Sequence, residues 1–262
     1  MAVPLGAVIT EGIVLVVVTF VVIMLYIRYA NRKKDAALAL AVAFTFWDIA
    51  IISLFINRIL SYLIEQEIIE PILYQGEIIV FSELGINLGY AFSALSNIFI
   101  TLFVALVFTQ SPMFRRTRML IPINIAGLNG ITIGLLIGAT MRGWPEPSYD
   151  LMPTLYHLLM TIISFSMLII FTVRPYRQST LRWERAGFAF IISSGVFGIL
   201  IYLSFAIDFL LGDGGLNVFE KGYTPFFYLA YVFAIIMCSF AYLGYVMPNY
   251  VRNWFKEKDS IN

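Results

Sequence analysis

Seven apolar stretches, each long enough to cross a bilayer, take up almost the whole of this chain and leave only short connections between them. A hydrocarbon core about 30 Å thick is crossed by a helix of about 20 apolar residues. The stretches fall at 5–29, 36–63, 77–109, 120–140, 151–173, 186–211 and 225–247. With 60% apolar and 13% charged residues in 262, the chain has too little charge to cover a soluble domain of this size. The runs are continuous rather than about 10 residues of alternating polarity, so helices are predicted and a barrel is not. The predicted fold class is all-α: a multi-pass protein of the cell membrane with seven transmembrane helices. Residues 1–262 form one domain, with a short basic tail over 248–262.

Basic residues set the predicted orientation. Of the 17 Lys and Arg, all but Arg58, Arg142 and Lys221 fall on alternate connections or the tail. Arg28, Arg32, Lys33 and Lys34 follow helix 1; Arg115, Arg116 and Arg118 follow helix 3; Arg174, Arg177, Arg182 and Arg185 follow helix 5; Arg252, Lys256 and Lys258 follow helix 7. The positive-inside bias then puts the N-terminus outside and the C-terminus inside. The other connections carry Glu65, Glu67, Glu70, Glu77, Glu146, Asp150, Asp213 and Glu220, and the glycines and prolines of "GWPEPSYD" and "GDGGLNVFEKGYTP" mark turns there. No basic n-region precedes the first apolar run, which reads as an uncleaved helix. The tail "NYVRNWFKEK" fits a short amphipathic helix lying on the inner surface.

Several chemistries are excluded. One histidine in the chain cannot build a multi-histidine metal site, a bis-histidine haem or an H-E-x-x-H motif. No Gly-rich phosphate loop is present, and the last helix holds no lysine for a retinal Schiff base, since Lys221 lies in the loop before it. The expectation is a protein that is not an enzyme, holds no metal or cofactor and binds no nucleic acid. The single Cys238 allows no intramolecular disulfide.

The feature at odds with this oily background is "LFINRIL", Leu54 to Leu60, where Arg58 stands inside the second apolar run. Counting along helices at about 1.5 Å per residue puts Arg58, Glu11, Glu83, His157 and Asp208 at similar depth in the outer third of the membrane. Charges in a bilayer face the bundle interior or water and pair with one another, so a shared polar pocket is predicted, with Glu83 as the expected partner of Arg58. Three carboxylates against one arginine would favour a cation, an amine or a proton. Helix 3 adds one polar face, Glu83, Asn87, Tyr90, Ala94, Asn97 and Thr101; helix 5 adds Thr154, His157, Thr161 and Ser164; helix 7 adds Tyr228, Tyr231, Tyr242 and Tyr245. The competing reading is structural: Arg58 and Asp208 snorkel into headgroups, His157 is a satisfied interior histidine, and the stripes bond helix to helix. Asp48, near the membrane centre, has to be protonated, paired across helices or hydrated. Gly130, Gly134 and Gly138 lie four apart on helix 4, a spacing that serves either packing within the chain or a homodimer or membrane-partner face.

An N-outside seven-helix unit in which "WDIAIISLFINRILSYL" closes helix 2 and "YVMPNYVRNW" closes helix 7 resembles the seven-helix sensory modules that precede histidine kinases in archaea and bacteria. The resemblance implies a receptor-like sensor embedded in the lipid bilayer. In that family a cytoplasmic signalling domain follows the last helix, whereas this chain ends at Asn262, so signalling would pass to a separate cytoplasmic protein. A secondary transporter of a small cation, with a path from Glu83 through Asn97 or Asp48, and a structural membrane subunit are the alternatives.

Overall fold

The computed structural model describes residues 3–108, 116–117, 119–145, 151–211 and 223–257. Arg115, Arg118, Glu146, Asp150, Asp213, Glu220, Lys221 and Lys258 lie outside the described residues.

Eight helices form among the described residues: α1 (Leu5–Arg32), α2 (Asp35–Glu65), α3 (Phe81–Val107), α4 (Leu120–Gly143), α5 (Leu151–Gln178), α6 (Arg182–Leu211), α7 (Pro225–Tyr245) and α8 (Asn249–Glu257). The first seven are long and apolar enough to span a membrane. Their boundaries have local causes. At the end of α1, Lys33 turns left-handed (φ 49°) while its N–H donates to the Tyr29 carbonyl at 2.7 Å. Thr224 caps α7, its hydroxyl accepting from the Phe226 N–H at 3.2 Å, with Pro225 at the first helical position where no donor is needed. α5 runs on past its predicted end to Gln178, with Pro175 tolerated in its last turn.

Helix 3 is shorter than its hydropathy predicts. It starts at Phe81 rather than 77, because Leu73–Tyr74 (β1) pairs antiparallel with Glu77–Ile78 (β2). Gln75 and Gly76, at φ 52° and 92°, make the two-residue turn with positive φ at both positions that matches strand twist. The hairpin folds over the end of the bundle where the N-terminus lies. There the Val80 N–H donates to the Pro145 carbonyl at 3.2 Å and Tyr74 meets Trp144 edge to face.

Six helices close a ring in the order α1, α2, α3, α5, α6, α7, with α7 returning to α1. α4 stands outside this ring, against α3 and α5. Accordingly 56% of the most apolar window of α3 is buried, against 22% for α4. Each inward face has a readable stripe: in α1 the buried positions Ala7, Glu11, Val14, Val18, Val21 and Leu25 advance by alternating fours and threes. The outward faces are apolar, with Val16, Met141, Met152 and Ile170 at least 65% exposed. Asn97, Thr101, Asn129, Thr132, Thr161 and Ser164 are buried instead. Apolar outside and polar inside reverses the pattern of a water-soluble protein and fits a multi-pass membrane protein. The short amphipathic helix expected in the tail is α8; Arg252 lies over the Trp183 ring at 4.4 Å and Phe255 meets Phe190, which pins α8 to α6.

Glycines appear at two kinds of place. A Cβ on Gly85 would lie 2.7 Å from the Cβ of Asn57, and one on Gly89 3.0 Å from Leu54, so α2 and α3 meet nearly backbone to backbone. Gly130, Gly134 and Gly138 of α4 have nothing among the described residues within 4 Å of an added Cβ. Packing within the chain is therefore not what that spacing does, because α4 turns this face away from the ring. Gly85→Ala is expected to lower thermal stability by about 1–3 kcal/mol, since the nearest atom is fixed by the α2 backbone. Gly134→Ala should leave it unchanged or raise it by up to about 1 kcal/mol. Melting the two variants beside the parent in one detergent checks the contrast.

Candidate functional site

Several buried polar side chains are satisfied by their own helix. The hydroxyls of Thr101, Thr132, Thr140, Ser164 and Thr172 each donate to the carbonyl four residues earlier, as does the amide of Asn57. These residues are explained by membrane folding alone. What distinguishes a site is the set that reaches across helices or finds no partner.

Arg58 reaches across three segments. Its Nε donates to Glu11 Oε1 of α1 at 2.9 Å and its Nη1 donates to the Tyr223 hydroxyl at 2.6 Å, while its guanidinium lies 5.2 Å from the centre of the Phe227 ring. The Tyr231 hydroxyl donates to the same Glu11 oxygen at 2.6 Å. Glu11 is wholly buried and Arg58 is 10% exposed, so the arginine neither snorkels nor points to lipid. The carboxylate that meets it is Glu11 and not Glu83. Glu11 occupies an inward position of the α1 stripe directly facing α2 and α7, a relation between helices that depth along the chain does not reveal. Burial raises the Tyr223 hydroxyl above its ordinary pKa, with Arg58 opposing the rise, so Tyr223 meets the guanidinium as a neutral phenol. Glu11 Oε2 has no partner among the described residues.

Above this pair lies a cavity of about 340 Å³ at the hairpin end of the ring. Its wall takes Arg58, Ser61 and Glu65 from α2, Glu83 and Tyr90 from α3, Phe205, Asp208 and Phe209 from α6, Tyr223 before α7, and Phe227 and Tyr231 within it. The segment from Ile78 to Phe81, the second strand and its exit, closes one side. One arginine, already engaged by Glu11, therefore shares the wall with three carboxylates. Asp208 also has a structural task, accepting the Thr224 N–H at 2.9 Å and hydroxyl at 2.6 Å to hold the start of α7. Glu65 accepts the Val3 backbone N–H.

The other expected residues are distributed as follows. His157 lies outside the large cavity, in a neighbouring one of about 120 Å³ that shares Tyr90, Phe205 and Phe209 with it. Asn87 is buried on α3 with its amide nitrogen unpartnered, and it lines neither of these two cavities. Asn97 donates to the Thr161 hydroxyl at 2.8 Å, joining α3 to α5. Asp48 accepts from the Thr19 hydroxyl at 2.9 Å, so of its three options it is paired across helices, α2 to α1. The helix 7 tyrosines do not form one face of one site: Tyr231 binds Glu11, whereas Tyr242 meets Phe20 and Tyr245 meets Phe103 toward the other end. The hairpin residues and Tyr223 belong to the wall without having been singled out by sequence; the Gln-Gly turn between "ILY" and "EII" was the available signal.

Replacing one member of the buried pair strands the other. Arg58→Met is expected to cost about 3 kcal/mol, at the low end for a broken buried pair because Arg58 borders a cavity. The double variant Glu11→Leu with Arg58→Met should recover most of that loss, and denaturation of the two variants beside the parent measures it. No protein-family model, curated protein or solved structure matches the chain, so its functional reading rests on this geometry.

Proposed function

We propose that this chain is a receptor-like membrane sensor whose ligand is a small organic cation with an apolar body, bound in the cavity above Arg58. The observation that carries the reading is the cavity wall: Glu65, Glu83 and Asp208 beside a neutralised Arg58, among the rings of Tyr90, Tyr223, Phe227 and Tyr231. Its volume of about 340 Å³ suits a small ligand. Excess carboxylates draw cations to a low-dielectric cleft, and aromatic faces add attraction for an ammonium. Orientation is part of the proposal. The gathering of Arg28, Arg32, Arg116, Arg174 and Arg252 at the end opposite the hairpin supports a cavity that opens outside and a C-terminal end that faces the cytoplasm. The signal would leave through that basic end to cytoplasmic signalling machinery, as the likeness to kinase-linked sensory modules implies.

A second reading, transport, is favoured by one observation. Smaller cavities of about 40 and 30 Å³ continue along the ring axis below the large one, the first sharing Leu54, Tyr90, Phe205 and Tyr231 with it. The lower one is lined by Asn97 and reaches Tyr245 near the other end of α7. The contact between the Ser93 and Tyr202 hydroxyls lies between them, so passage would need α3 and α6 to part.

A panel of primary and quaternary amines, screened by the melting temperature of purified protein, tests the proposal. A true ligand at a hundredfold excess over its Kd adds about 2.7 kcal/mol of stability. Glu83→Gln should abolish that gain, measured against the variant's own unliganded melting temperature. Uptake of the same amine into proteoliposomes would favour transport over sensing. If no amine stabilises the parent, and the variant merely melts earlier, the cavity reading is wrong and the polar wall is structural.

A further inference from the structure

We propose that the cavity beside His157 is a separate binding site for a small lipophilic molecule with one hydrogen-bonding group, of the phenol class, admitted from the bilayer between α5 and α6. The inference does not depend on the amine reading of the larger cavity.

His157 is 1% exposed, and neither ring nitrogen has a hydrogen-bond partner among the described residues. A neutral imidazole carries one donor and one acceptor, and buried polar atoms are nearly always satisfied. Every other polar group on the buried face of α5 has found a carbonyl or a neighbouring side chain, as Thr161 and Ser164 do. The imidazole instead borders a cavity of about 120 Å³ lined by Tyr90, Leu155, Leu158, Tyr202, Phe205 and Phe209 among others. Tyr90 stacks on it at 5.1 Å and the Tyr202 ring lies nearly perpendicular to it at 5.4 Å. The ring is thus held in place by aromatic contacts, and its two nitrogens are what remain for a ligand.

Size and access narrow the ligand. An apolar cavity of about 150 Å³ admits benzene, so this one, at about 120 Å³ and open at its rim, takes at most a single ring with a small substituent. The walls are aromatic and aliphatic, which favours an apolar body with one polar group for the imidazole. α5 and α6 are pressed together lower down, where a Cβ on Gly198 would lie 2.5 Å from the Phe165 ring and one on Gly195 2.7 Å from Ile169. Toward the hairpin end they enclose the cavity, and its rim residues Leu155 and Leu210 are 46% and 50% exposed on the outward face. That rim faces lipid, where a phenol concentrates.

His157 is the only histidine, so ¹⁵N-histidine labelling of protein carrying no polyhistidine tag gives the signals of one imidazole. The experiment titrates phenol, and in parallel benzene, into labelled protein in nanodiscs. Phenol is expected to shift the His157 ring resonances saturably, and benzene to bind about tenfold more weakly for want of the hydrogen bond. Ala206→Phe, which fills the cavity without touching the main wall, should remove the shift; Ala206→Leu serves if the larger residue lowers the melting temperature. Glu83→Gln should keep it. Failure of phenol to shift the resonances of folded parent protein overturns the proposal, as does ring-proton exchange with water that phenol leaves unchanged. A shift that survives in both Ala206 variants, or is lost in Glu83→Gln, places phenol in the bilayer or in the larger cavity and overturns it equally.

Discussion

The buried ion pair of Arg58 and Glu11 is the constraint around which this ring is arranged. A guanidinium inside an apolar helix has to be met by a carboxylate and its remaining donors satisfied, or the helix will not insert at that depth. Glu11 meets it from α1, Tyr223 and Phe227 from the start of α7, and Tyr231 holds the same carboxylate oxygen. The pair therefore ties the first, second and last spanning helices at one level and closes the ring between α7 and α1, a less extensive contact than those joining α2 to α3 or α6 to α7.

With that pair in place, glycine contacts set much of the remaining spacing, Gly244 of α7 against Gly187 of α6 among them. Gly85 and Gly89 bring α3 against α2, while Gly195 and Gly198 bring α6 against α5 in the half remote from the hairpin. Helices that touch closely at one level and carry larger side chains at another leave space between them. The two larger cavities both lie toward the hairpin end, above these contacts on the α5 and α6 side. The hairpin then covers what the helices leave open, contributing Ile78 to Phe81 to the wall. α4 takes no part in this enclosure, and its glycine face remains on the outside of the fold.

The cavity wall and the ion pair divide the ionisable residues by task. Glu11 neutralises Arg58 and Asp208 holds the Thr224 cap, both structural roles that also place side chains beside the large cavity. Polar residues that bond back to their own helix, such as Thr101 and Ser164, are explained without any ligand. His157 is not explained in that way, and it is the residue for which a bound partner makes the most physical difference. Amine binding and a phenol subsite are thus separate proposals resting on separate residues.

Seven spans, the break at "RYANRKK" and the amphipathic tail helix were legible in the sequence, because hydropathy over about 20 residues and local helix signals are properties of the chain itself. Of the five ionisable residues grouped by their place along the helices, Arg58, Glu83 and Asp208 line one cavity, while Glu11 and His157 do not. Depth is one coordinate; the azimuth of each helix and the identity of its neighbours are two more, and only packing sets them. That is why depth alone points to Glu83 as the partner of Arg58 when it is Glu11, and why the spacing of the α4 glycines leaves packing and partner face both open while Gly85 and Gly89 of α3 make the close contact. The hairpin escaped for a related reason: "EIIV" is apolar enough to continue a helix, and it is pairing with Leu73 and Tyr74 that makes it a strand. Sequence determined which segments are long and apolar enough to span a membrane and how far along each helix its polar residues fall; the tertiary structure decided which side chains meet, since a contact between helices belongs to neither helix alone.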